Sequence, residues 1–261
     1  MLLVLWLATA TFNSTMALVP FPSFGGEMVR MQGRFKSAFA PMRTQVSKVA
    51  CGVAMQNSRQ DTPDIFEVLT QIGASLARPG AGAFVAGYRA ELSQEYKNPT
   101  MDLPVREFSE TLPSVRPAKP LELYEYEACP FCRKVREAVS MLDLDVVVYP
   151  CPRDGTRYRA KVVEMGGKSQ FPYMVDPNTK FASYESDRII RYLFQTYGDG
   201  IVPLPLALGP VTTASASLVS AFRSGKGRQA KSGLPAPPSA PLELWAYEAS
   251  PFCRYSVYLL Y

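Results

Sequence analysis

Between Pro120 and Arg133 the chain reads PLELYEYEACPFCR, an alternating stretch that runs straight into two cysteines separated by two residues. Alternation of apolar and polar residues over 121–127 (LELYEYE) predicts a strand. Val135, Ala138, Val139 and Leu142 predict one apolar face of a helix that starts at Pro130. A strand that delivers two thiols to the first turn of a helix leaves few folds open.

The segments that follow narrow the choice. Val146–Tyr149 (VVVY) reads as a short strand buried on both faces, and Thr156–Met165 as a second helix ended by Gly166-Gly167. Gln170–Pro177 is expected to be a strand opened by Pro172, with a turn at Asn178. Tyr184-Glu185-Ser186-Asp187 then leads into a helix whose apolar face is Ile189, Ile190, Leu193 and Phe194. Strand, helix, strand, helix, proline-led strand, turn, helix is the order of an α/β unit of thioredoxin type.

Composition restricts the chemistry. The chain has no histidine, which removes Ser-His-Asp and Cys-His catalysis and every histidine-ligated metal. Its five cysteines, Cys51, Cys129, Cys132, Cys151 and Cys253, contain one close pair, unlike the even, dense pattern of a disulfide scaffold. A lone CxxC is half a zinc site, and no second pair at ligand spacing accompanies it. The net charge of +5 is spread out rather than gathered into basic blocks, so no nucleic-acid partner is expected.

Upstream, Met1–Phe12 is an apolar run of signal-peptide type, too short to span a bilayer. Residues 18–50 carry Arg30, Arg34, Lys36, Arg43 and Lys48 against the single acid Glu27, the balance of a transit peptide. Ser37-Ala38-Phe39-Ala40-Pro41 resembles the Ala-Phe-Ala-Pro motif of plastid presequences in algae with complex plastids. Residues 1–50 are therefore read as a targeting or disordered segment addressed to a plastid, with mitochondrion or secretory pathway as alternatives, and no membrane span is expected in the mature protein. Residues 51–117 are expected to be helical and then extended: Ile65, Leu69, Ile72 and Leu76 recur at helical spacing, 81–96 are read as a helical continuation, and Pro104, Pro113, Pro117 and Pro120 follow.

Residues 201–240, rich in Pro, Ser, Ala and Gly, read as a disordered linker. Beyond it Pro241–Arg254 (PLELWAYEASPFCR) repeats Pro120–Arg133, differing only at Tyr124/Trp245, Glu125/Ala246 and Cys129/Ser250. Residues 241–261 are taken as a second, truncated copy of the domain at 118–200.

The first cysteine of a CxxC at a helix N-terminus gains thiolate character from the helix dipole and free amides, so Cys129 is the expected nucleophile and Cys132 the resolving thiol. A cis Pro172 would turn the backbone of Phe171 toward that pair. Ser186 can cap the last helix, and its hydroxyl with the first amides offers a carboxylate site beside Glu185.

CPFC, the Gln-Phe-Pro turn and the Tyr-Glu-Ser-Asp helix start resemble, in that order and spacing, the glutaredoxin-like N-terminal domain of glutathione S-transferases, over residues 118–200. The tandem arrangement is similar to plant and algal plastid proteins with two such domains. The resemblance implies a thioredoxin fold and a glutathione site formed by Phe131, Phe171, Pro172, Glu185 and Ser186. Two cysteines where many plant transferases carry serine, and no all-helical C-terminal domain, favour disulfide exchange with glutathione and protein disulfides as partners. Two alternatives stay open: a 2Fe–2S cluster shared between two Cys129 thiolates and two glutathiones, and an activity like that of transferases or of prostaglandin E synthase type 2.

Overall fold

The computed structural model describes residues 69–70, 72–73, 76–93, 104–230 and 241–259. The targeting segment, Cys51 and Ile65 lie outside these residues. Among them, no helix is long and apolar enough to cross a membrane.

An antiparallel hairpin comes first, β1 (Tyr88–Leu92) with β2 (Val105–Ser109). The central unit then runs β3 (Leu121–Glu125), α1 (Pro130–Met141), β4 (Val146–Pro150), α2 (Arg159–Gly166), β5 (Tyr173–Asp176), β6 (Phe181–Ser183) and α3 (Ser186–Tyr197). Its sheet has the order β4-β3-β5-β6, with β3 parallel to β4 and antiparallel to β5, which is in turn antiparallel to β6. This is the thioredoxin-like fold of the sequence reading.

The two-residue period of a strand sorts side chains onto two faces. Leu121, Leu123 and Met174 join Val135, Ile189 and Leu193 of α1 and α3 in the main core. Tyr124 and Tyr173 face the other way, into a smaller cluster holding Val162 of α2 together with Cys129, Cys132 and Phe171. Each fully buried leucine contributes about 1.5–3 kcal/mol, so α1, the helix that carries the cysteine pair, is fixed by the larger cluster. The cysteines themselves stand against the smaller one.

Close approach explains one glycine. A Cβ on Gly166 would lie 2.0 Å from the Tyr184 hydroxyl. That hydroxyl is held in place, accepting from Lys168 N at 3.2 Å, with Lys168 O at 3.0 Å and Val162 O at 3.2 Å as acceptors for its one proton. Gly166→Ala is expected to destabilise the domain by about 1–3 kcal/mol, read from the urea midpoint; an unchanged midpoint would show that Tyr184 is free to withdraw.

The structure corrects four expectations. The stretch read as a disordered linker contains α4 (Leu204–Ala207) and α5 (Pro210–Phe222). Helix α5 packs on α1 through Thr212, Ala216 and Val219, a stripe at helical spacing whose small and hydroxylated members lack apolar contrast. Its Ser and Thr hydroxyls bond back to the preceding turn, Ser215 to Val211 O at 3.0 Å and Ser217 to Thr213 O at 2.8 Å.

Residues 88–92 are a strand, not a continued helix, because Gly80, Gly82 and Gly87 all adopt positive φ and end helical geometry. In the helical segment before them, Leu69, Ile72 and Leu76 are exposed, so the predicted apolar stripe is not its buried face. Strand β4 lies at the sheet edge and buries Val146 and Val148 while Val147 and Tyr149 stay half-buried, so it is not enclosed on both faces.

Candidate active site

Cys129 is the N-cap of α1, with extended backbone (φ −78°, ψ 118°) and a sulfur that accepts the Cys132 N–H at 3.2 Å. Pro130 fills the first helical position, where no N–H is needed. Strand β3 ends just before this turn, and Cys129 N–H donates to Tyr126 O at 3.1 Å to close it.

The two thiols differ in electrostatics. Burial disfavours charge on Cys129, but hydrogen bonds from the Cys132 thiol and amide outweigh it and bring Cys129 below the ordinary thiol range. Cys132, fully buried and facing a sulfur that takes the charge first, is raised well above that range. Tyr126 is pushed up to about 12 by burial and by the neighbouring Cys129. The sharing of one negative charge falls to Cys129.

An ultraviolet titration checks this: thiolate absorbance should rise in a step below the free-thiol pKa of about 8.5, and Cys129→Ser should remove that step. Cys151 is fully buried and pushed up to about 12 by burial, so it contributes no early thiolate.

Across the site the Phe171-Pro172 bond is cis, and the Cys129 thiol donates to Phe171 O at 3.9 Å. The Phe171 ring meets Tyr126 edge-on at 6.0 Å and lies under the Arg159 guanidinium at 4.8 Å. Only 1% of Cys129 is exposed, and Tyr126 and Phe171 belong to the cluster around it. Phe131, by contrast, is 46% exposed at the outer edge of the turn.

Glu185 and Ser186 stand at the start of α3, but their local roles differ from expectation. Glu185 occupies the N-cap position without a side-chain cap bond, and Ser186 is already the first helical residue, so it does not cap. Glu185 is exposed and accepts a hydrogen bond from Gln170 at 3.0 Å, which ties it to the residue before Phe171. Cys129, Cys132, Phe171 and Pro172 thus come together directly, and the Glu185-Ser186 end is linked to them through Gln170. Tyr126, Gln170 and Tyr184 belong to the quoted stretches without a role assigned to them, and Arg159 is signalled by no motif.

Behind the turn, α5 holds the backbone from the other side. Ser220 donates to Ala128 O at 2.9 Å, and Arg223 pairs with Glu127. Among the described residues, no group of three metal-ligating side chains converges.

The family model for the glutathione S-transferase N-terminal domain matches residues 123–200, and this part of the chain is a domain of that type. Among solved structures, a Bombyx mori glutathione transferase in a complex matches at 28% identity, over 32% of this chain and 39% of that enzyme, with a TM-score of 0.29. A delta-class glutathione transferase of Nilaparvata lugens matches at 24% identity, over 30% and 37% respectively, with a TM-score of 0.27. The chain therefore spans less than two-fifths of either enzyme. No curated protein matches the chain at a significant level.

Proposed function

We propose that the domain catalyses glutathione-linked thiol-disulfide exchange. The observation that carries this reading is the division of roles in one hydrogen-bonded pair: Cys129 is lowered and Cys132 raised from the ordinary thiol range. A single accessible thiol would need no such partner, and a pair of structural thiols would both be raised by burial.

The Cys129 thiolate attacks one sulfur of a disulfide R–S–S–R′, forming Cys129–S–S–R and releasing R′–S⁻, which takes up a proton. Either Cys132 attacks Cys129, releasing R–SH and leaving an intramolecular disulfide, or a glutathione thiolate does so and leaves a glutathionyl disulfide. In both routes the two electrons come finally from two glutathione molecules, which leave as glutathione disulfide.

Glutathione fits the surroundings of the sulfur. The cysteinyl part has the backbone of Phe171 to lie along, beside cis Pro172, and its amino-acid end has Glu185 for an ammonium and the α3 amides with Ser186 for a carboxylate. Phe131 offers an exposed apolar edge.

The test is reduction of a small glutathionyl mixed disulfide by the full chain, with reduced glutathione as the only electron source. Turnover is expected in the wild type and in Cys132→Ser, whose remaining thiol suffices for a glutathionyl substrate. Absence of glutathione-dependent turnover in the wild type, with conjugation of an electrophile in its place, would replace exchange by a transferase reading.

A further inference from the structure

We infer that the Glu-x-Cys/Ser-Pro-Phe-Cys-Arg turn is a self-recognition element, whose partner is a second copy of the same turn, here residues 241–259. This inference stands independently of the glutathione reading.

The two copies form the same local structure. In the first, Cys129 N–H donates to Tyr126 O at 3.1 Å, and Cys132 N–H donates to Cys129 Sγ at 3.2 Å. In the second, Ser250 N–H donates to Tyr247 O at 3.1 Å and Cys253 N–H to Ser250 Oγ at 3.2 Å, followed by helix α6 (Pro251–Leu259). Serine therefore replaces the sulfur as a cap while losing its redox chemistry.

The charged residues that frame these turns cross between the copies. Arg133 of the first lies 3.3 Å from Glu248 of the second, and Arg254 of the second lies 3.7 Å from Glu127 of the first. These are equivalent positions exchanged, as in an isologous contact. Arg136 stands between them, 2.8 Å from Glu127 and 2.9 Å from Glu248. All four crossing side chains are nearly fully buried, so their charges have each other rather than water.

Burial of Glu248 opposes its ionisation, yet Arg136, Arg133 and Arg254 hold its carboxyl at about 2. Leu242, Leu244 and Val257 add apolar contact with the main core.

The repeat keeps Glu248 and Arg254, the residues that cross to Arg133 and Glu127, while the sulfur of Cys129 is exchanged for the oxygen of Ser250. Ordinary solvated charge does not account for it, because a surface Glu and Arg would be exposed, and these are not.

Hydrogen-deuterium exchange on the full chain tests the inference. Amides of 249–257 are expected to be protected in the wild type, a reading that depends on no variant. Glu248→Gln should raise their exchange about 100-fold or more, because it removes the one carboxylate of the second turn that Arg133, Arg136 and Arg254 share. Arg133→Gln alone should do likewise, and the two together should raise it far less than the product of the single effects. Glu127→Gln with Arg254→Gln forms a second cycle, on the reciprocal pair, should Arg133→Gln impair folding of α1. Unprotected 249–257 amides in the wild type, or multiplicative effects in both cycles, would overturn the proposal.

Discussion

Cys129→Ser is expected to lower the rate of disulfide reduction by about a thousandfold or more while leaving the fold in place, because it removes the thiolate that attacks the substrate disulfide in the proposed exchange. The second half of that expectation has a structural precedent within the same chain. Ser250 caps its helix at the same 3.2 Å distance that Cys129 does, so serine is accommodated in this turn without rearrangement. Stability is expected to change by under about 1 kcal/mol, the range of one N-cap exchanged for another. Activity measured beside a urea titration separates the two effects. Full activity in Cys129→Ser would sink the mechanism, whereas a loss of activity matched by a loss of stability would leave the role of the sulfur unproved and count against the conservative replacement argued from Ser250.

The largest stability effect belongs to Glu137. Its carboxylate is fully buried and receives Arg78 at 2.5 and 2.8 Å and Arg133 at 3.1 Å. Arg78 also donates to Thr212 O at 3.1 Å and Pro205 O at 3.2 Å, so one carboxylate on α1 fixes the residue that ends the upstream segment and the start of α5 together. Glu137→Ala leaves two buried guanidinium groups without that partner, a loss of about 3–5 kcal/mol. For a unit of this size the expected fall in Tm is about 10 °C. Glu137→Gln keeps an acceptor and is expected to fall between the two. A change under about 1 kcal/mol in Glu137→Ala would mean that water enters and solvates Arg78 and Arg133, contrary to their burial.

The α/β unit was legible because its signals are local. Alternation over 121–125, the apolar face of Ile189, Ile190, Leu193 and Phe194, and Pro172 before a strand each report on a few adjacent residues, and the elements form where they lie. The cysteine pair was legible for the same reason. Helix α5 was not, because its buried face is Thr212, Ala216 and Val219, which contrast little with the exposed serines and threonines between them. Packing on α1 stabilises that helix, and packing is not written in a single segment.

The site shows the same division. Cys129 and Phe171 follow from motif order, but the connection of Glu185 to the site through Gln170, and the clamp on the turn by Ser220 and Arg223, arise between residues far apart in sequence. Ser186 was misplaced by one position, enough to convert an expected cap into a buried first helical residue.

Ser250 has a consequence for how the protein behaves through a redox cycle. In the proposed exchange the sulfur that caps α1 is itself the reacting atom. The cap of α6 is an oxygen that no mild oxidant alters, so the paired turn keeps one geometry whatever the first turn is doing. Under the proposed exchange, one side of the pseudo-symmetric contact is thus a reactant and the other a fixed reference, its Cys253 standing without a cysteine at the cap position.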